Sequence, residues 1–328
     1  MSSSDIRSRG FALLLLAGCC VTGHGGLLAS DSGTVDTTRG PMICIVSDTQ
    51  TPIIVERLFL RAKNNRGATA AIFRELARLH PTALVHLGDV VPFGFLDSEW
   101  ANMDSLLRPL RESGVPVPAI LGNHDLMLLP EVGQANFQAR FPEHVPTGYV
   151  RVVDSVAFVL LNSNFGKLEE EDQARQLIWY DSALISLERD DAVVAVVVGC
   201  HHSPYSNSRI EPASEEVQAY FVPQFLRAPK CRLFVSGHSH TFEHFRKEGK
   251  DFLVLGGGGG LQHPLYEGEE RPYDDLSGPP PKPMFHFLTL ERSQDALTAV
   301  SHRLEEDFTT FREYYRLVIP IRPSTARP

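Results

Sequence analysis

The chain has 328 residues, 43% of them hydrophobic and 22% charged, with 25 Gly, 23 Pro and 5 Cys. That composition excludes a disordered, collagenous or disulfide-dense protein and provides apolar surface for one large globular domain or two small ones. A formal charge of −9 argues against a nucleic-acid partner, because nothing broad would neutralise phosphates, and an anionic substrate then needs a local positive site such as bound metal.

Arg7 and Arg9 precede the apolar run Phe11 to Ala17, a charged segment and then a hydrophobic one far too short to span a bilayer. This pattern reads as an export signal over residues 1–18. Its end, Leu16-Ala17-Gly18-Cys19, resembles the bacterial lipoprotein processing box, in which the Cys19 thiol takes the lipid; the alternatives are an ordinary cleaved signal and a retained membrane segment. On the lipoprotein reading the protein is exported, periplasmic or cell-surface, with a lipid bilayer as partner. Residues 19–40 lack a hydrophobic period and read as a flexible tether.

From residue 41 the pattern is that of a folded domain extending to 322. Met42 to Ser47, Ala83 to Leu87, Val117 to Leu121, Val193 to Val198 and Leu233 to Val235 are short apolar runs that predict strands buried on both faces. Between them, helical spacing appears at Ile72, Phe73, Leu76 and Leu79, stopped by Pro81. It recurs from Trp100 to Leu110, from Leu177 to Leu187 and from Val217 to Phe225. Strands alternating with helices predict an α/β layered fold. Past residue 250, Phe252 to Leu255, Phe285 to Leu290, Ala296 to His302 and Tyr314 to Ile321 predict a mainly antiparallel portion, with the Pro-rich stretch 278–283 as a surface loop. Cys44, Cys200 and Cys231 sit in or beside apolar runs and read as small core residues.

Each of the first five runs delivers ligand-type residues at its C-terminal end: Asp48 and Gln50, Asp89, Asn123-His124-Asp125, His201-His202, and His238 and His240. In α/β sheets that edge is where sites are built, so five separate segments are expected to converge. Asp, Asn and His suit Mn, Fe or Zn, and the lack of thiolates argues against a closed structural zinc site. The glycines of Gly88-Asp89, Gly122-Asn123-His124-Asp125 and Gly237-His238-Ser239-His240 allow sharp turns where bulk would crowd a metal.

The ordered set resembles the calcineurin-like metallophosphoesterase superfamily, which includes the purple acid phosphatases. The family pattern is D-x-H or a variant, G-D, G-N-H-[DE], a single His and G-H-x-H, and Gln176-Leu177-Ile178-Trp179 is similar to its Q-x-x-W element. The resemblance implies a layered sandwich of two mixed β-sheets flanked by helices, holding two divalent or trivalent ions. It implies that Asp48 and His240 hold one ion, Asn123, His201 and His238 the other, and that Asp89 bridges them. A shared carboxylate makes physical sense between two dications about 3.5–4 Å apart. The implied chemistry is hydrolysis of a phosphate ester by a metal-bridging hydroxide, with His124 protonating the leaving oxygen or holding the phosphate and Asp125 orienting its ring.

Three positions depart from the pattern. Gln50 stands where many members have His, Pro92 stands where purple acid phosphatases have a Tyr ligand, and His201 and His202 compete for one ligand position, the spacing to Tyr205 favouring His201. His202, Tyr205 and Arg209 are candidate substrate contacts on the loop after the His pair. His86 reads as a strand-interior core residue, His244 as a surface one, and His80, His144, His286 and His302 carry no motif. Gly256 to Gly260 reads as a close-packed loop in preference to a phosphate nest, and Glu169 to Asp172 as acidic residues favouring a helix N-terminus. The expected activity is that of a phosphomonoesterase; the alternatives are a phosphodiesterase and a non-catalytic metal-binding surface lipoprotein.

Overall fold

The computed structural model describes residues 40–58, 60–278 and 284–321. The export segment 1–18, Cys19, the tether up to residue 39 and positions 279–283 of the Pro-rich stretch lie outside the described residues. In chain order the strands are β1 Met42–Val46, β2 Ala83–His86, β3 Tyr149–Val153, β4 Val156–Leu160, β5 Ala195–Gly199, β6 Cys231–Ser236, β7 Phe242–Lys247, β8 Lys250–Leu255, β9 His286–Arg292, β10 Ala296–Leu304 and β11 Phe311–Pro320. The helices are α1 Asn65–Leu79, α2 Asp97–Glu112, α3 Pro130–Arg140, α4 Glu170–Arg189, α5 Glu215–Tyr220 and α6 Val222–Arg227. No helix among the described residues is long and apolar enough to cross a membrane.

Two mixed sheets result, one in the order β11-β10-β9-β1-β2 and the other β3-β4-β5-β6-β8-β7. Side chains alternate along a strand, so each central strand feeds two cores. Ile43 and Ile45 of β1 meet Phe158, Val197 and Leu233 between the sheets. Cys44 and Val46 face the opposite way, against Phe73, Trp100 and Leu107 of α1 and α2. Ala157 and Val159 of β4 likewise pack on Tyr180, Phe221 and Phe225 from α4 and the α5–α6 region. The outcome is helices, sheet, sheet, helices, and it explains why the strands read as unbroken apolar runs. Cys44, Cys200 and Cys231 are buried free thiols in these cores, as expected.

Sequence punctuation sets most boundaries. The α1 period ends at His80, which turns left-handed and donates its N–H to Ala77 O just before Pro81. Acidic Glu170, Glu171 and Asp172 occupy the first turn of α4, where the helix dipole favours them.

Two predicted elements differ. Residues 117–121 do not form a strand: Pro116 and Pro118 accept from Leu84 and His86 N–H but have no N–H to donate, leaving one isolated parallel bridge, His86 with Ala119. The Val217–Phe225 helix is two short ones, broken at Phe221 ahead of Pro223. The structure adds β3, β4, β7 and α3. β3 and β4 are joined through Asp154 and Ser155, both at positive φ (47° and 62°), a turn whose twist suits a hairpin.

Topology brings the functional loops to one edge. Backbone bonds sew the loop after β1 to that after β2, Asp48 N–H to Gly88 O and Thr49 N–H to Asp89 O, and the loop after β6 to that after β5, Gly237 N–H to His201 O. The five-glycine loop after β8 closes on the same edge, with Gly258 N–H on Ser47 O and Gly260 N–H on Asp48 O, both at 2.9 Å. It is a close-packed loop: a Cβ on Gly258 would lie 2.2 Å from Ser47 O. Gly258→Ala is therefore expected to destabilise the fold by about 1–3 kcal/mol through overpacking. Urea unfolding measures this, and an unchanged midpoint would mean that the loop yields freely.

Candidate metal centre

Three of the residues at this edge, Asp48, Asp89 and His238, have positive φ of 58°, 52° and 64°. Left-handed backbone at non-glycine residues costs free energy and is retained where surrounding structure fixes it. Here each turn redirects a side chain from its strand end into a common point. Gly88 (φ 93°) makes the turn before Asp89, and a Cβ there would meet Gly122 N at 2.7 Å and His201 Nδ1 at 2.8 Å.

Two groups of ligand atoms result, each within 4.8 Å of one another: Asp48, Asp89 and His240, and Asp89, His201 and His238. Asp89 belongs to both. Its Oδ2 lies 3.3 Å from His201 Nε2, and its Oδ1 accepts the His124 backbone N–H at 2.8 Å. Asp48 Oδ1 lies 3.3 Å from His240 Nε2, and Asn123 Oδ1 lies 3.1 Å from His201 Nε2.

The imidazoles are held by partners that fix which nitrogen is free. His201 Nδ1 donates to Leu87 O at 2.9 Å and His240 Nδ1 to Leu261 O at 2.7 Å, leaving Nε2 of each turned to the carboxylates. A carbonyl can only accept, so the Nδ1-protonated tautomer is enforced and Nε2 carries the coordinating lone pair. His238 is held the other way, with Nε2 3.0 Å from Glu211 Oε2.

Burial raises the carboxyls of Asp48 and Asp89, but the imidazoles beside them, His240 and His201 respectively, outweigh it and hold both below the usual range. Burial opposes charge on His201, yet Asp89 and Asp48 hold it up at about 9. His240 is raised by Asp48 in the same way. Without metal, protons on imidazole thus balance two buried carboxylates.

The donor set suits metal in a further respect. Gln50 is buried with its Nε2 3.2 Å from His240 Nε2 and 3.4 Å from Asp89 Oδ2, while its Oε1 is buried without a hydrogen-bond partner. Rotating the amide by half a turn places the oxygen toward His240 and Asp89, where a cation would use it.

Of the residues expected in the site, Asp48, Gln50, Asp89, Asn123, His201, His238 and His240 come together here. His202 does not join the ligand groups; its Nδ1 lies 2.9 Å from Ser163 Oγ, and burial holds it well below the usual imidazole range. Asp125 does not orient the His124 ring. Its carboxylate accepts backbone N–H from Gly122 (2.9 Å), Val90 (3.0 Å) and Val91 (3.3 Å), clamping two ligand loops together. Burial and then Asp89 push it up to about 8, against the pull of the Gly122 and Val91 N–H groups. The His124 ring is held instead by Pro92 O, 3.2 Å from Nδ1, with Glu56 Oε1 3.8 Å from Nε2.

Tyr205 turns away from the cleft into the core, its ring 5.0 Å from that of Phe252. Arg209 is exposed and stacks over Tyr266. His244 is not a surface residue: it is buried between Tyr315 Oη (2.8 Å) and Asp251 Oδ1 (2.9 Å). His86 is buried as expected, with Nε2 2.9 Å from Thr49 Oγ1. Gln176 of the Q-x-x-W element braces the end of β4, exchanging two hydrogen bonds with the Asn162 backbone at 2.8 and 2.9 Å.

The sequence reading missed Glu56, Glu211 and His263, which stacks on His240 at 4.3 Å. Glu211 lies on the loop that opens with His201-His202; Glu56 and His263 carry no motif.

A family model for calcineurin-like phosphoesterases matches residues 41–242. The chain belongs to that family. Among solved structures, this phosphoesterase shares its fold with GAP50, the anchor in the inner membrane complex of Plasmodium (14% identity, 87% of this chain and 90% of that one, TM-score 0.62). It shares it also with purple acid phosphatase PPD1 of yellow lupin, Lupinus luteus (15%, 85% and 54%, 0.61), and with a dimetal phosphatase from Danio rerio (15%, 86% and 99%, 0.55). The phosphoesterase thus spans about half of the lupin chain. No curated protein matches its sequence.

Two outcomes follow for metal binding. Because a cation must displace protons from His201 and His240, affinity should tighten by up to about tenfold per pH unit per proton displaced. The window runs from about 6.5 toward 9, and calorimetric titration with Mn would refute this by giving a pH-independent constant. Glu211→Gln should weaken one site by about 10–100-fold, because the His238 ring loses its anionic partner; unchanged affinity at both sites would deny Glu211 that role.

Proposed function

We propose that the protein is a dimetal phosphoric ester hydrolase, a phosphomonoesterase in first reading. The observation that carries it is Asp89, shared by two ligand groups at the convergence of five loops. Asp48 and His240, with Gln50 through its amide oxygen, would hold one ion. Asn123, His201 and His238 would hold the other, with Asp89 between. Mn, Fe and Zn all suit this oxygen and imidazole set. Two such cations, when bound, supply Lewis acidity toward phosphoryl oxygens and a nucleophile at neutral pH.

The chain's own groups supply the rest. His124 lines the cleft beside Asp89 and Asn123, placed for its Nε2 to give a proton to the leaving oxygen, while Pro92 O fixes the ring through Nδ1. Asp125 keeps the Gly88 and Gly122 loops in register, so its effect on turnover is through position. His202 lines the wider groove beyond Asn123 and His238 and is held neutral by burial, a hydrogen-bonding group for the ester's far side.

A diesterase is the competing reading, because nothing about the ligand set distinguishes one ester bond from two. Asp89→Asn is expected to abolish metal-dependent hydrolysis of an aryl monoester and to weaken both metals. His124→Ala should lower turnover by about 10²–10⁴ and retain both ions. Metal loss in the second variant would place His124 among the ligands. A wild-type protein that hydrolyses aryl diesters faster than monoesters would give the diesterase reading precedence, and saturation below two ions with no turnover would favour a metal-binding lipoprotein. Export rests on the Arg7-to-Cys19 segment, and mass spectrometry of the mature N-terminus tests it: a lipid on Cys19 is expected, and an unmodified residue there contradicts the anchor.

A further inference from the structure

The candidate metal centre opens into a cleft of about 240 Å³ whose remaining walls are Val55, Leu60 and Ile210 on one hand and Glu56, Glu211, His124 and His263 on the other. Neither Lys nor Arg lines it among the described residues. The adjoining groove, about 600 Å³, adds a single Lys, Lys167, against Glu211, Glu215 and Glu216. With a phosphoryl group at the ligand cluster, the next surface its leaving group would meet is aliphatic and bordered by carboxylates. An additional phosphate or carboxylate on that leaving group would face Glu56 and Glu211 with no Lys or Arg among the lining residues to receive it.

The apolar character extends past the cleft. Ile54 and Leu58, on the loop that carries Val55 and Glu56, are 80% and 74% exposed, and Leu128 and Leu129, just after the His124-Asp125 turn, are 70% and 49% exposed. Both loops meet at His124: Glu56 Oε1 lies 3.8 Å from its ring Nε2, and the Met127 N–H donates to its backbone O. Exposed aliphatic side chains on the two loops that meet at His124 add apolar surface beside the aliphatic wall of the cleft.

We propose that the leaving group of this phosphoesterase is an uncharged alkyl chain, the aliphatic part of a lipid-like phosphoester, seated between Val55, Leu60 and Ile210. The inference rests on the dimetal reading, which supplies the phosphoryl end. It assigns Val55, Leu60 and Ile210 to substrate selection and leaves the bond-breaking groups as described above.

Binding of phosphonates, which the protein cannot hydrolyse, tests this without turnover. Calorimetric titration of the Mn-loaded full chain with methyl-, butyl- and hexylphosphonate should give Kd values that fall along the series, hexyl at least about tenfold below methyl, given roughly fourfold per fully buried methylene. Phosphonoacetate should bind more weakly than ethylphosphonate. In Leu60→Asn and Ile210→Asn the ratio of methyl to hexyl Kd should shrink severalfold. A hexyl gain below tenfold, equal or tighter binding of phosphonoacetate, or an undiminished ratio in both variants would overturn the assignment while leaving the dimetal reading intact. Failure of methylphosphonate to bind at all would overturn both.

Discussion

Two carboxylates buried side by side are the constraint around which this protein is arranged. Asp48 and Asp89 are almost wholly removed from solvent, and two anions in a low-dielectric interior are unfavourable unless positive charge accompanies them. His201 and His240 lie against them, each raised against burial by the carboxylates beside it, and bound cations would supply the same positive charge. Every surrounding feature serves to bring these groups to one point. The left-handed turns at Asp48, Asp89 and His238 aim the side chains inward, and the carbonyls of Leu87 and Leu261 fix the two rings. The glycine loop after β8 presses on the backbone that carries Asp48.

The fold has the stiffness such an arrangement requires. Strands of both sheets contribute to a shared inner core and to an outer helical layer, so a ligand loop cannot shift without moving a strand packed on both faces. Asp125 shows how far the bracing extends. It reads from sequence as a partner of His124, and its carboxylate instead ties Val90, Val91 and Gly122 together, locking the Asp89 loop to the Asn123 loop.

Much of this was legible in the residues. Ligand types at the C-terminal ends of apolar runs are a local signal with a physical cause, because buried strands end where polar side chains first reach the cleft. The ordered motifs therefore pointed to the residues that converge as the candidate metal centre, while irregular segments hid what surrounds them. Pro116 and Pro118 disguised a single-bridge segment as a strand, since hydrophobicity does not register the missing N–H groups. Asp154-Ser155 joined β3 and β4 without the Asn-Gly signature of a tight turn. Glu56 and Glu211 act by meeting imidazoles from distant loops, and no spacing within one element encodes that. Tyr205 illustrates the converse: its place on a site loop suggested substrate contact, but a bulky ring beside Phe245 and Phe252 gains more from joining the core.

The account depends on Asp89 lying between two cations, and anomalous scattering locates cations directly. Crystals grown with Mn and measured at the Mn absorption edge should show two peaks about 3.5–4 Å apart, one on each side of the Asp89 carboxylate. A single peak, or two that do not share Asp89, would contradict it.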